Sequence, residues 1–520
     1  MQSDQTTDQL SPQLHIVCGN PAGEKAASYT RFVLPFSYSV NLNVALPGEQ
    51  RAQKHEYVDL NIIDDNSTKN ATPVLEDAKW RKRYLTTETA QILFHRAKWL
   101  QMKNWSSEQA IKETVLRGET VKIQMAPPRI VLFHWPVTNS KSARIQDNPL
   151  QTGFLIIELF FPQDSKVTLD QLLAINEYFR YCRQPFDKHS AIKDYCDFIS
   201  PLWSPDTKDV ERFYEQRWLQ WIDDVNLCVD GIKFRLHIKE KKEWMVYADD
   251  RTFVWTCAIL PEGGKTLQAL APESDFRASN FGHWIKLLNV DRPAMTPLAS
   301  HRHTKFESEW ANERTYHRWE EMGTFYGFSY HSGVMIGPPE TEPPLWKHFG
   351  GMYFDQALLL FYLRVTLFRF SKRLCEISHY DDSRIDDDKW MSDFQKLREK
   401  FSIFTNLYQF PLLSNQQQGL EMYELARDSF DVQPLFQEIQ SEVHNSHDYF
   451  LQKLNQRQVT TATRLTIVAT IGLAMSFILA FFGFDGIGTL IGLPEAQHHK
   501  LKLSEYLSSP PLLLRSSFNL

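Results

Sequence analysis

Cysteine is scarce in this sequence. Six are scattered over 520 residues (Cys18, Cys182, Cys196, Cys228, Cys257 and Cys375), and no two form a Cys-x-x-Cys pair. That excludes a zinc knuckle or a thioredoxin-like centre, and the density builds no disulfide framework. The expectation is buried, reduced thiols in a cytosolic body. Positive charge is not in excess either: 57 Lys and Arg stand against 63 Asp and Glu, a net charge of −6. A protein that coats nucleic acid needs the opposite balance, so no nucleic-acid partner is expected. Enzyme signatures are missing as well: there is no Gly-x-Ser-x-Gly, no kinase set and no triad pattern. Gly263-Gly264-Lys265-Thr266 imitates the end of a P-loop, but Ile259 occupies the position of its first glycine, so a β-turn is expected. His301, His303 and the pair His498-His499 have no other ligand types at metal-binding spacing, so they are read as surface histidines. The start, Met1-Gln-Ser-Asp-Gln-Thr-Thr, is polar and lacks the apolar core of a signal peptide. Nothing points to an enzyme.

Aromatic residues are plentiful at 13%, which excludes a mainly disordered chain. A mean hydropathy of −0.39 argues against a bundle of many membrane helices. It does not exclude one, because a single apolar run vanishes in an average over this length.

The first 270 or so residues mix strand and helix signals, giving an N-terminal α/β domain within an α+β chain. Runs rich in Val, Ile, Phe and Trp predict strands at Phe32–Leu46, Val121–Met125, Ile130–His134, Phe154–Phe161, Phe234–His237 and Thr252–Leu260. Thr168-x-x-Gln171 forms a capping box ahead of an apolar-periodic helix. A second helix is expected over about Asp206–Val225. Prolines concentrate in 271–345, which reads as a connector closing a first domain over 1–345.

Beyond Pro344 the pattern becomes helical, a stalk over 346–464. Met352–Arg373 is strongly apolar but holds Asp355, Arg364 and Arg369, so it is read as a buried helix and not as a span. Further helices are expected over Asp387–Tyr408, from a capping box at Ser414-x-x-Gln417, and from Pro434 to Phe484. Phe436, Ile439, Val443, Ser446 and Phe450 recur at steps of three and four, a short coiled-coil-like seam suited to association between copies. Asp381, Asp382, Asp386, Asp387 and Asp388 cluster between helices and read first as a solvated loop, second as a divalent-ion site.

Leu465–Phe484, LTIVATIGLAMSFILAFFGF, is 20 residues without a charge. At about 1.5 Å per residue it matches a hydrocarbon core of about 30 Å. The competing reading is a deeply buried soluble helix; a membrane span is the expectation. Lys453, Arg457 and Arg464 precede the run, while Asp485 to His499 holds no Lys or Arg. The positive-inside rule then places the N-terminal domain in the cytoplasm. Thr463, Thr466 and Thr470 share one face, where their hydroxyls either bond back to the preceding turn or line a watery path.

A long helix entering Leu465-Thr466-Ile467, Ala469-Thr470-Ile471, Ser476-Phe477-Ile478 and Gly483 resembles the first transmembrane helix of CorA-type divalent cation transporters. The likeness is tight over about 25 residues and loose, in domain order, over the rest. It implies a homopentamer in the lipid bilayer with this helix lining a pore for Mg²⁺, which acts as substrate or regulator; no cofactor is implied. Leu465 and Leu473 then look like apolar constrictions, Ser476 like a hydroxyl ring, and Asp448 like a residue of the widening cytoplasmic path. Gly483, Phe484 and Asp485 stand where the family has its Gly-Met-Asn entrance motif for hydrated Mg²⁺. Asp in place of Asn adds a ring of charge around an oligomeric pore. The family also has a second membrane helix, whereas 485–520 contains no uncharged stretch of 18 residues. Lys502–Leu514 reads as the approach to a second helix that breaks off, leaving a short tail. The resemblance thus implies an oligomeric pore for divalent cations. The alternative is a membrane-anchored sensor or effector gated by a nucleotide or protein, as in CorA-like proteins of CRISPR defence.

Overall fold

The computed structural model describes residues 14–42, 55–60, 84–106, 110–116, 119–135, 148–183, 203, 210–238, 251–265, 281–291, 304–341, 344–378, 387–408 and 413–483. The chain is a mixed α+β protein with a barrel-rich N-terminal body and a long apolar helix at the C-terminal end. Its strands are β1 (Tyr29–Leu42), β2 (Glu56–Asp59), β3 (Lys98–Met102), β4 (Ile111–Leu116), β5 (Glu119–Met125), β6 (Arg129–Leu132) and β7 (Thr152–Phe160). They continue with β8 (Val225–Val229), β9 (Ile232–Ile238), β10 (Phe253–Ile259), β11 (Thr315–Tyr316), β12 (Phe325–Phe328) and β13 (Ser332–Gly337). The strands expected from the sequence all form, with ends shifted by a few residues.

The long strand β1 organises them. Its Tyr29–Ser37 half pairs with β7, and its Tyr38–Leu42 half pairs with β9. The ladder then runs β9–β8–β2–β3–β6–β7 and returns to β1, so seven strands close a barrel. Beside its first residues β1 also pairs with β10, which leads through β13 and β12 to β11. Closure leaves no free edge among these seven strands, while the described sheet ends at β11 on one side and, through β5, at β4 on the other.

Alternation along β1 separates two faces. Phe32, Leu34, Phe36 and Tyr38 point into the barrel with Leu155, Ile157, Ile130 and Leu236. Gly153 lies opposite Phe36 on β7, and a Cβ there would sit 2.9 Å from Leu132 and closer still to the Phe36 ring. Gly153→Ala is therefore expected to overpack the barrel and lower stability by about 1–3 kcal/mol, read as a shift in the denaturation midpoint.

Helices α1 (Leu169–Phe179), α2 (Val210–Leu219) and α3 (Phe281–Asn289) pack on the inner-face core, with α4 (Thr304–Glu313) beside α3. The capping box of α1 forms as expected, Thr168 and Gln171 bonding reciprocally at 2.9 and 3.2 Å. The α2 helix is shorter than expected, because Val225 already begins β8.

The 271–345 segment is not a connector. It supplies α3, α4 and three strands, and β13 lies parallel to β10 deep in the sheet. Among its described prolines, Pro338 directly follows β13.

The outer face is covered by α5 (Phe354–Ser378), entered through a wide helical turn at Phe349–Tyr353. Phe361 of α5 packs on Phe154 and Phe253 at 5.5 and 5.1 Å, and Trp255 stacks on Phe349 at 4.1 Å. Of the charges in this apolar helix, Asp355 and Arg364 are buried, and Arg369 donates to the carbonyls of Pro149 and Gln151 at 2.9 and 2.8 Å. Polar partners of this kind belong to a protein interior, which agrees with the buried-helix reading.

Helices α6 (Asp387–Tyr408), α7 (Gln417–Ser429) and α8 (Val432–Gly483) follow. The capping box expected at Ser414 is absent. The Ser414 hydroxyl donates to the Tyr84 carbonyl at 2.6 Å, and Gln416 takes the N-cap position.

Compactness divides the chain between Val443 and His444, not at 345. Residues 346–443 form part of the body because their apolar faces meet its outer sheet surface and one another. Periodicity alone does not tell such burial from burial between copies. The same holds for the seam: Phe436, Ile439 and Val443 are buried within the chain, with Phe436 stacked on Phe401 at 5.9 Å.

Candidate functional site

Two features stand out, one in each unit. In the C-terminal unit, every residue from Gln458 to Phe481 is exposed along α8. Leu465, Leu473 and Phe477 show 65%, 69% and 78% of their surface. Among the described residues this is the one helix long and apolar enough to cross a membrane. Its sides differ. At about 100° per residue, Leu465, Gly472, Leu473, Ser476 and Gly483 fall within an arc of roughly 100°, joined by Ala462, Ala469 and Ala480. Ile467, Ile471, Met475, Phe477, Ile478 and Phe481 occupy the rest of the circumference. One side is thus mostly small and the other bulky.

The hydroxyls of Thr466, Thr470 and Ser476 donate to the carbonyls of Ala462, Thr466 and Gly472 at 2.7–2.8 Å, the local arrangement expected of a single helix. Asp448 projects near the edge of the small-residue arc, exposed, 3.6 Å from His444 one turn earlier. Gly483 is the last residue of α8; Phe484 and Asp485 lie outside the described residues. So do Asp381, Asp382, Asp386, His301, His303, His498, His499 and Cys196. No three His, Cys, Asp or Glu converge as a metal site among the described residues. Cys182 and Cys257 are buried as expected, whereas Cys375 is exposed. Pro261–Gly264 is a turn with Gly263 at φ +60°, the β-turn expected in place of a P-loop.

The second feature was not legible as a motif. In the N-terminal unit a cavity of about 930 Å³ lies on the outer sheet face, under the Phe349–Tyr353 turn. Its buried floor is ionic. Arg31 on β1 stands directly opposite Glu158 on β7, and Arg129 on β6 stands opposite Ile156, two residues along. Both guanidiniums meet the same carboxylate oxygen: Arg31 Nε donates to Glu158 Oε2 at 2.5 Å, and Arg129 Nη2 at 3.0 Å. Arg31 Nη1 donates to the Gly350 carbonyl at 2.6 Å. A Cβ on Gly350 would lie 2.6 Å from the Tyr29 hydroxyl, so the backbone closes on the floor only where a side chain is missing.

Burial alone would raise the Glu158 carboxyl, but Arg31 and then Arg129 overcome it and hold the group below the usual carboxylate range. Burial likewise works against the Arg31 charge, and Glu158 restores it. The walls are aromatic: Tyr29, Tyr84, Trp105, Trp319, Trp346 and Tyr353. Burial pushes Tyr29 and Tyr353 well above the ordinary phenol range and keeps His348 neutral by lowering its pKa. At the rim Asn20, Ser106 and Gln416 are exposed.

No family model, curated protein or solved structure matches this chain.

Proposed function

We propose that this protein is a CorA-like membrane protein whose α8 crosses a bilayer and assembles with copies of itself around a path for divalent cations such as Mg²⁺. The observation that carries the reading is the fully exposed apolar stretch of α8, divided into a small side and a bulky side. Small residues let helices approach closely in lipid, while bulky ones face acyl chains. Leu465, Leu473 and Ser476 lie within the small-residue arc, consistent with constrictions and a hydroxyl ring on a shared axis. Asp448 lies near its edge on the approach, and Asp485 would supply charge at the entrance. The cations Lys453, Arg457 and Arg464 favour a cytoplasmic N-terminal unit. Flow would be passive and driven by the membrane potential, with no covalent step.

Mg²⁺ uptake into proteoliposomes tests the reading; flux no greater than in empty vesicles overturns it. Gly472→Leu should leave membrane integration intact and weaken self-association severalfold, because a leucine on the small-residue side keeps two helix backbones from approaching closely. Crosslinking at graded protein-to-lipid ratios reads this out. A variant that associates as well as the wild type places the interface elsewhere.

A second reading, a membrane-anchored sensor or effector, is favoured by the cavity in the N-terminal unit. There a ligand bound over the sheet would be the input and the membrane helix the output. Liposomes that become permeable only when ligand is present would distinguish it from a constitutive path.

A further inference from the structure

The floor of the cavity carries its own counter-charges. Arg31 and Arg129 stand against the carboxylate of Glu158, which they share, and that of Asp355, buried and acting on Arg31. His348 is uncharged, and Lys347 is partly exposed at the rim. An ionic ligand would shed its water there and meet no unmatched buried charge among the described residues, so the floor favours a neutral one.

What the lining offers instead is carboxamides. Gln101 on β3 stands directly opposite Arg129, and Gln124 on β5 directly opposite Phe160, two residues from Glu158. Both therefore project from the outer sheet face beside the ion cluster. Gln416 and Gln418 line the cavity from the start of α7, and Asn20 from the segment before β1. Gln418 Nε2 has no hydrogen-bond partner among the described residues. A carboxamide holds donors beside an acceptor. It can pair at two points with a ring that carries an acceptor beside a donor, as amide side chains do with a base edge. The rings around these groups are fixed in place. Tyr84 and Tyr353 meet edge-on at 5.8 Å and share a hydrogen bond of 3.1 Å, and Trp105 Nε1 donates to the Met125 carbonyl at 3.0 Å. The volume of about 930 Å³ lies within the range of about 300–1,000 Å³ typical of small-molecule sites.

We propose that this cavity is a binding site for a small, flat, neutral lactam, in which a ring N–H beside a carbonyl pairs with the lining carboxamides and the ring lies among Tyr29, Trp346 and Tyr353. The inference deepens the sensor reading of the same cavity and does not depend on cation flux.

The test is a ligand-observed NMR titration of the full chain in nanodiscs, with empty nanodiscs as the blank. The probes are the fused-ring lactam isocarbostyril, its N-methyl analogue, which keeps the carbonyl and loses the donor, and the similarly sized anion 1-naphthoate. Isocarbostyril should bind about fivefold or more tighter than either of the others, in keeping with one hydrogen bond of about 1 kcal/mol. Gln101→Met, Gln124→Met and Gln418→Met keep length and remove the amide. At least one of them should abolish the preference for isocarbostyril over its N-methyl analogue while the N-methyl analogue still binds. A preference unchanged in all three variants overturns the role of the carboxamides. Equal binding of the two lactams, or tighter binding of 1-naphthoate, overturns the lactam chemistry but leaves a ligand site for the sensor reading. If no probe binds, both the site and that reading lose their support.

Discussion

Glu158→Gln is expected to lower the stability of the protein by about 3–5 kcal/mol, because it leaves two buried guanidiniums without the carboxylate they share. Denaturant unfolding of the full chain in detergent, followed by tryptophan fluorescence, would measure it. The pH dependence provides an internal check. The carboxyl is held below its ordinary range in the folded state, so its contribution is complete above the unfolded value of about 4.3 and is lost as pH falls through the lower, folded value. The gap between wild type and Glu158→Gln should therefore be widest at neutral pH and shrink under acid, as the wild-type carboxyl takes up its proton. A gap that stays constant down to pH 2 would mean that the loss comes from packing and not from charge. Replacing Arg31, Arg129 and Glu158 together by apolar residues, with Asp355→Asn to neutralise the buried carboxylate that also acts on Arg31, is expected to be far milder than removing Glu158 alone.

Met475→Arg is the second large effect. Met475 is exposed near the middle of the 20-residue apolar run on α8. An arginine at the centre of a spanning helix carries a penalty of about 2.5–3.5 kcal/mol on insertion scales, roughly a hundredfold in the integrated fraction. Alkaline extraction of membranes should then move the variant into the soluble fraction, while the wild type stays with the lipid. Arg464→Ala, at the end of the run, should have little effect on integration. If Met475→Arg remains in the membrane fraction to the same extent as the wild type, α8 does not cross the bilayer.

Much of the fold could be read from the sequence because the signals were local. The α1 cap needs only Thr168 and Gln171 at the right spacing, and the charge-free run of α8 announces itself by length. The strands appeared as apolar runs for the same reason. Closure of the barrel did not, because it depends on β1 changing partners at Ser37–Tyr38, which no local pattern encodes. The apparent connector at 271–345 misled for a related reason: its prolines are visible in sequence, while the parallel pairing of Val254 with Ser332 is not. The cavity was the least legible. Arg31, Arg129 and Glu158 are separated by 98 and 29 positions and meet only through the β1–β7–β6 register. Arg31 and Arg129 look, in sequence, like ordinary charges at the border of an apolar run. What would have flagged the cluster is Glu158, which interrupts Phe154–Phe161, a run otherwise apolar on both faces, and so points to a polar partner across the sheet.

The alternation of β1 has a consequence for folding. Arg31 and Phe32 are neighbours on the strand, one in the ionic floor and the other inside the barrel. A slip of β1 by a single residue against β7 would exchange them, pushing a guanidinium into the barrel interior and stranding a phenyl ring among charges. Phe36 would at the same time lose the space that Gly153 leaves for it. The ion cluster therefore acts as a register lock on the strand that closes the barrel.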